Sequence, residues 1–139
     1  MKNKNLLMKI GQRKIGPEYK PLVIVELGIN HNGSLKKAKK FVDQAKNYGA
    51  EIIKHQTHIP DEEMSLEAKK AIPGTFPKSI YEIIKSCSLS EKEEFKLMQY
   101  IKSKKRIFIS TPFCQSAVDR LVKFKVPAFK IGSGECNNI

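Results

Sequence analysis

Four short apolar runs alternate with helix-patterned segments along this 139-residue chain, and that alternation restricts the fold more than any other feature. Leu22-Val23-Ile24-Val25 reads as a buried strand running on to Gly28. Ser34 then offers a hydroxyl as a helix N-cap, and Leu35, Ala38, Phe41, Val42 and Ala45 recur at helical spacing up to Asn47-Tyr48-Gly49. A second run, 51–56, follows at once. Ser90 with Glu93 forms a capping-box pair that opens a helix through Phe95, Met98 and Ile101. The third run, 107–111, stops at Pro112, and Ala117, Val118, Leu121 and Val122 mark another helix. The fourth run, 128–131, leads into Gly132-Ser133-Gly134-Glu135. The order β-α-β-α-β-α-β predicts an α/β fold with parallel strands and helical crossovers. Four such units make either a small open sheet or half of an eight-stranded barrel.

Two segments stand outside that rhythm. Residues 1–20 contain the Gly-punctuated stretch LLMKIGQRKIG, which predicts a short two-stranded ribbon ahead of the sheet. Residues 58–79 form a polar connection with Pro60, Pro73, Gly74 and Pro77, holding one or two helical turns near 64–70.

Charge and cysteine usage narrow the function classes. Twenty-six basic against fourteen acidic residues give a net charge of +12, and a domain so basic is drawn to polyanions. Yet only Arg13, Arg106 and Arg120 are arginines, Trp is absent, and the lysines are scattered in ones and twos, as in Lys36, Lys37, Lys39 and Lys40. Nucleic-acid sites cluster arginine with aromatic residues, so the pattern speaks for a solvated lysine surface rather than a nucleic-acid partner. No run of 18 apolar residues is present for a membrane span, and the first nine residues, MKNKNLLMK, do not resemble a secretory leader. Cys87, Cys114 and Cys136 are odd in number and far apart, which disfavours a disulfide framework or zinc site and favours a reducing cytoplasm.

The chemistry enters where buried strands carry charge. Parallel strands are covered on both faces, so Glu26, Lys54 and Lys130, all toward the C-terminal ends of their strands, need a reason. Alternation lets Ile24 and Glu26 share a face with Ile52, Lys54 and Gln56, with Ile109 and Thr111, and with Ala128 and Lys130. In a barrel that shared face is the interior, and its C-terminal rim is where active sites form. A buried ammonium without a partner costs several kcal/mol, and one carboxylate does not neutralise two lysines. Either one lysine pairs with Glu26 while the other snorkels to solvent, or a small anionic ligand meets both. Gly132-Ser133-Gly134 after the last strand supplies backbone donors and a hydroxyl suited to phosphate oxygens, without the Walker or dinucleotide patterns. His31, His55 and His58 lack zinc-ligand spacing and read as loop or packing histidines, and Ser110 and Cys114 lack a nucleophile motif.

Taken together, Glu26-Leu27-Gly28-Ile29-Asn30-His31-Asn32-Gly33, Ile53-Lys54-His55-Gln56-Thr57-His58, Ser110-Thr111-Pro112-Phe113 and Phe129-Lys130-Ile131-Gly132-Ser133-Gly134-Glu135 resemble the sialic acid synthases. The Lys54–His58 stretch favours the bacterial N-acetylneuraminate branch. The resemblance runs from about residue 20 to the last residue and implies a (β/α)8 TIM barrel, of which 21–139 would be the N-terminal half and 1–20 an extension. It implies condensation of phosphoenolpyruvate with N-acetylmannosamine and water to N-acetylneuraminate and phosphate, in sialic acid biosynthesis.

By resemblance, Lys54 and Thr111 would hold the phosphoenolpyruvate carboxylate, and Lys130 and Ser133 its phosphate. Glu26 would lie beside the reacting enol carbons as a catalytic residue, with Gln56 and Glu135. Gln56, Glu135 and Thr75 would face the sugar. Thr75 stands where the family commonly has Asn, which shortens or removes one sugar contact. The family also implies a divalent metal, Mn2+ or Mg2+, that polarises the sugar aldehyde, and a homodimer in the complete enzyme. By the same resemblance, strands five to eight of the barrel, the two histidines that bind the metal and a small C-terminal antifreeze-like domain are expected outside this sequence. Two other readings stay open: a non-catalytic half-barrel that binds anions, and a synthase for a related nonulosonic acid.

Overall fold

In the computed structural model, which describes residues 7–74 and 77–137, strands β3 (Ile24–Gly28), β4 (Ile52–Thr57) and β5 (Ile107–Pro112) form one parallel sheet in the order β3-β4-β5. Ahead of it, β1 (Met8–Ile10) and β2 (Arg13–Ile15) pair antiparallel as the expected ribbon. The crossover between β3 and β4 is helix α1 (Leu35–Asn47), capped by the Ser34 hydroxyl, which accepts from the Lys37 N–H at 3.3 Å. Between β4 and β5 lie α2 (Pro60–Glu63), a 3-10 turn at Ala68–Lys70, α3 (Ile80–Cys87) and α4 (Glu91–Ser103). Helix α5 (Gln115–Lys123) follows β5.

Strands β4 and β5 bury both faces, against different partners, whereas Ile24 and Glu26 leave one face of β3 exposed. On one face Leu27, Ile53 and Phe108 pack with Ala38 and Val42 of α1, Leu97 and Ile101 of α4, and Leu121 of α5. On the other, Ile52 and Ile109 pack with Ile10, Ile15, Leu22 and Ile107, so the ribbon closes the end of this face where the strands begin. Arg13 locks it there, its Nε donating to Glu51 Oε2 at 2.6 Å and its Nη2 to the Lys20 carbonyl at 2.7 Å. The opposite end of the same face, at the C-terminal ends of the strands, is left to polar side chains.

Two departures from the sequence reading matter. Helix α3 was not foreseen, although Ser79 and Glu82 form a full capping box and Ile80, Ile83 and Ile84 follow a helical stripe. The predicted fourth strand is reduced to a single parallel bridge between Ser110 and Phe129, with the Lys130 N–H donating to the Ser110 carbonyl at 3.0 Å. Pro127 offers no N–H to a ladder, and the 3-10 turn at Ser133–Glu135 begins only two residues after Ile131, so pairing has little length in which to propagate.

Candidate functional site

The register brings most of the predicted residues onto one face. Glu26 lies opposite Lys54, Lys54 opposite Ile109, and Gln56 opposite Thr111. After Glu26 the β3–β4 register slips, and Gly28 takes φ +52°, placing its missing side chain beside Glu26 and Gln56. A Cβ there would stand 3.1 Å from Glu26 Oε1 and 3.8 Å from Gln56 Cδ, so glycine gives these two groups their room.

Lys54 forms an ion pair with Glu26, the lysine side chain being 16% exposed and the glutamate 43%. Burial, and then repulsion from Lys130, hold the Lys54 ammonium below the usual lysine range. The two cations therefore lie close enough to oppose each other, as the shared parity of their strands predicted. Thr111 is buried, and its hydroxyl oxygen has no hydrogen-bond partner among the described residues. A buried hydroxyl left in this state loses about 1–3 kcal/mol of desolvation unless something else meets it.

The 132–135 turn sits against this group. A Cβ on buried Gly132 would approach Glu135 Cγ at 3.4 Å and Thr111 Cγ2 at 3.8 Å, so the turn packs on the end of β5. Ser133 is exposed and Glu135 half-buried. Glu26, Lys54, Gln56, Thr111, Lys130 and Glu135 thus gather at one end of the sheet, with Ser133 on the turn beside them. Thr75 lies outside the described residues.

Sequence reasoning missed the residues that hold Gln56. His58 Nε2 is 3.1 Å from Gln56 Oε1, and His58 Nδ1 is 3.0 Å from each oxygen of Glu63. The ring stacks on Phe113, with centroids 4.3 Å apart and planes 7° from parallel. The available signal was Pro60 opening a helical turn right after His58, which carries Glu63 back over the ring.

Behind the sheet, facing the helices, a second polar group is fully buried. His31 Nε2 lies 3.2 Å from His55 Nε2, and His55 Nδ1 lies 3.0 Å from Glu94 Oε1. Glu94 also accepts from Thr57 Oγ1 and, at 3.1 Å, from Arg120 Nη1, while Thr57 and Ser110 hydroxyls meet at 2.7 Å. Burial raises the Glu94 carboxyl's pKa, but His55, Thr57 and Arg120 outweigh it and hold it below the ordinary value. Burial, then the neighbouring His55, lower His31 to about 4. His31 and His55 are packing residues, as their spacing suggested, and Ser110 is spent within this network. Burial pushes the Cys114 thiol up, away from a nucleophilic thiolate.

Among the described residues no group of three or more His, Cys, Asp or Glu side chains could hold a metal ion. The polar residues at the sheet end therefore do not fit a divalent cation by themselves. Among the described residues, also, no helix is long and apolar enough to cross a membrane.

Comparison with known proteins bears on the family and the fold. The sequence profile of the NeuB family matches residues 41–139. An uncharacterised protein of Methanocaldococcus jannaschii is 38% identical over 92% of this chain and 35% of its own length. The N,N'-diacetyllegionaminic acid synthase of Legionella pneumophila is 35% identical over 93% of this chain and 37% of its own length. The chain thus spans little more than a third of the curated relatives it matches. The crystal structure of N-acetylneuraminic acid (sialic acid) synthetase from Leptospira borgpetersenii superimposes with a TM-score of 0.83 at 25% identity, covering 96% of this chain and 44% of that one. The three-stranded sheet and its helices are therefore a partial parallel β/α barrel preceded by the antiparallel ribbon, and the chain belongs to the NeuB family.

Proposed function

We propose that this chain supplies the phosphoenolpyruvate-binding part of a nonulosonic acid synthase. The observation that carries the reading is the convergence of Lys54 and Lys130 beside the buried, unpartnered Thr111 hydroxyl at the C-terminal end of the sheet. A compact anion answers all three: Lys54 and Thr111 take its carboxylate, and Lys130 with Ser133 takes its phosphate. Charge-assisted hydrogen bonds at both ends would fix the enol between them.

Relatives are named as synthases of N,N'-diacetyllegionaminic acid, pseudaminic acid and N-acetylneuraminate 9-phosphate, which supports the class of product. Within that class we read N-acetylmannosamine as the sugar, from the Lys54-His55-Gln56-Thr57-His58 stretch. C3 of phosphoenolpyruvate forms a bond to the sugar aldehyde carbon. Water adds at C2, and the C2–O bond to phosphate breaks, releasing inorganic phosphate. Glu26, paired with Lys54, stands where it can stabilise positive charge at C2, and Glu135 where it can manage the protons of the added water. Gln56, with Glu135 and Thr75, faces the sugar. The complete barrel would act as a homodimer and would bring the divalent metal site on its other half.

The test is phosphate release from phosphoenolpyruvate with N-acetylmannosamine and Mn2+, for the chain alone and with the remainder of the barrel supplied. Activity in the assembled barrel supports the reading. A folded assembly that binds phosphoenolpyruvate and releases no phosphate with any acylated amino sugar would leave a non-catalytic anion-binding half-barrel.

A further inference from the structure

We propose that Glu26 is the resident counter-ion of the empty site: it holds Lys54 in place of the ligand's carboxylate, and the arriving carboxylate displaces it. The inference rests on the reading above that Lys54 and Thr111 take the carboxylate of phosphoenolpyruvate.

Strand register makes the pair. Glu26 of β3 lies directly opposite Lys54 of β4, and the two side chains form an ion pair. The Lys54 side chain is 16% exposed, and an ammonium so enclosed needs an anion beside it. In the empty site Glu26 is that anion. Its hold on the subsite is incomplete. β3 and β5 flank β4, so Glu26 and Thr111 stand on strands two spacings, or about 10 Å, apart. Glu26 therefore serves Lys54 and leaves the buried Thr111 hydroxyl oxygen without a hydrogen-bond partner among the described residues. A ligand carboxylate lying over β4 and β5 meets both groups, and so gains a hydrogen bond that Glu26 does not make.

The two partners differ in what separation does to them. Lys54 is short of water and is repelled by Lys130, whereas the Glu26 side chain is 43% exposed. Glu26 is thus the member that moves. Gly28 leaves it room, because the empty Cβ position there is 3.1 Å from Glu26 Oε1 and 3.8 Å from Gln56 Cδ. Displaced to that side, the carboxylate stays next to the groups read above as facing the reacting carbons and the sugar.

The chemical consequence is selectivity among anions. Two carboxylates on one ammonium repel each other, so Glu26 competes with a carboxylate ligand rather than helping to bind it. Inorganic phosphate, held at Lys130 and Ser133, leaves the pair intact.

The test measures dissociation constants by calorimetry, without sugar, for the assembled barrel and its Glu26→Gln and Glu26→Ala variants. The probes are phosphoenolpyruvate, pyruvate and inorganic phosphate. Both variants should bind phosphoenolpyruvate and pyruvate about 10-fold more tightly, the scale of one hydrogen bond to a charged group, and phosphate within about 2-fold of the unsubstituted protein. In a Lys54→Gln background the same substitutions should change phosphoenolpyruvate binding less than about 2-fold, because the contest is for Lys54. Equal tightening for phosphate, or tightening that survives Lys54→Gln, would overturn the proposal, since each marks a general effect of charge. Phosphoenolpyruvate binding by the unsubstituted assembly that is unchanged or weakened in the variants would overturn the proposal alone. No binding by any of these proteins would overturn the functional reading with it.

Discussion

His31 and His55 meet Nε2 to Nε2 at 3.2 Å directly behind β4, while Lys54 and Gln56, the strand neighbours of His55, face the candidate site on the other side. Strand alternation makes this arrangement compulsory, since successive side chains point to opposite faces. A shift of one residue in β4 would exchange a buried hydrogen-bonded histidine for a lysine. The polar network through Glu94 to Arg120 therefore fixes the register that presents Lys54 and Gln56.

That network makes stability depend on pH. His31 is fully buried, and its pKa falls from 6.5 to about 4, chiefly through burial. Between those values the unfolded chain binds a proton that the folded chain does not, so the contribution is complete above pH 6.5 and is lost as the pH falls toward 4. The loss should approach about 3 kcal/mol. Urea unfolding at pH 7.5, 6 and 5 measures it, and a flat profile across that range would remove His31 from the account.

Removing Glu94 should damage the fold more than any change at the surface. Glu94→Ala leaves buried His55 without its carboxylate and half-buried Arg120 with only the more distant Glu91, 3.9 Å away, and should cost about 3 kcal/mol. Glu94→Gln keeps one acceptor for Thr57 or His55 and should cost clearly less. Chemical denaturation of both variants checks the order, and equal losses would mean that side-chain volume, not charge, matters there.

Gly33 tests the packing of the β3–α1 loop on α3. Its φ is +68°, and an added Cβ would stand 2.6 Å from the Ser86 carbonyl oxygen, a backbone atom with no easy retreat. Gly33→Ala should cost about 3 kcal/mol or more. Gly49, at φ +85° with open space around it, supplies the control, and its alanine variant should lose only about 1–2 kcal/mol. Comparable melting temperatures for the two variants would contradict the close approach to Ser86.

For the proposed phosphate contact, Lys130→Ala in the assembled barrel should raise the phosphoenolpyruvate KM about 10- to 100-fold, the range expected for a charge-assisted hydrogen bond. The sugar KM should move far less. Steady-state kinetics with each substrate varied in turn decide the matter, and an unchanged dependence on phosphoenolpyruvate would reject the phosphate role.

Local signals carried most of the architecture. Ser34 and Ser90 cap helices where their hydroxyls precede apolar stripes, and the LLMKIGQRKIG stretch turns back on itself as a ribbon. Helix α3 carries the same kind of signal in Ser79 and Glu82, in the stretch between the polar connection and Ser90 that the sequence reading leaves unassigned. The fourth strand was over-read, because an apolar run shows that a segment can be buried and not how many ladder bonds it makes.

The site divides along the same line. Alternation alone placed Glu26, Lys54, Gln56 and Thr111 on one face, since side-chain direction in a strand depends only on position. The motifs alone named the family. What the sequence could not show was the partner of each group. His58 reaches Gln56 through Glu63, His55 reaches Glu94 across 39 residues, and Arg120 closes the network from 26 residues further on. The Glu94 contacts join elements distant in sequence, and their geometry exists only once the helices have packed on the sheet. The His58 contacts span two to five residues and depend on the turn opened by Pro60 and on the ring of Phe113. Backbone periodicity is a local property and can be read from the chain, whereas hydrogen-bond pairing between distant side chains is decided by tertiary packing.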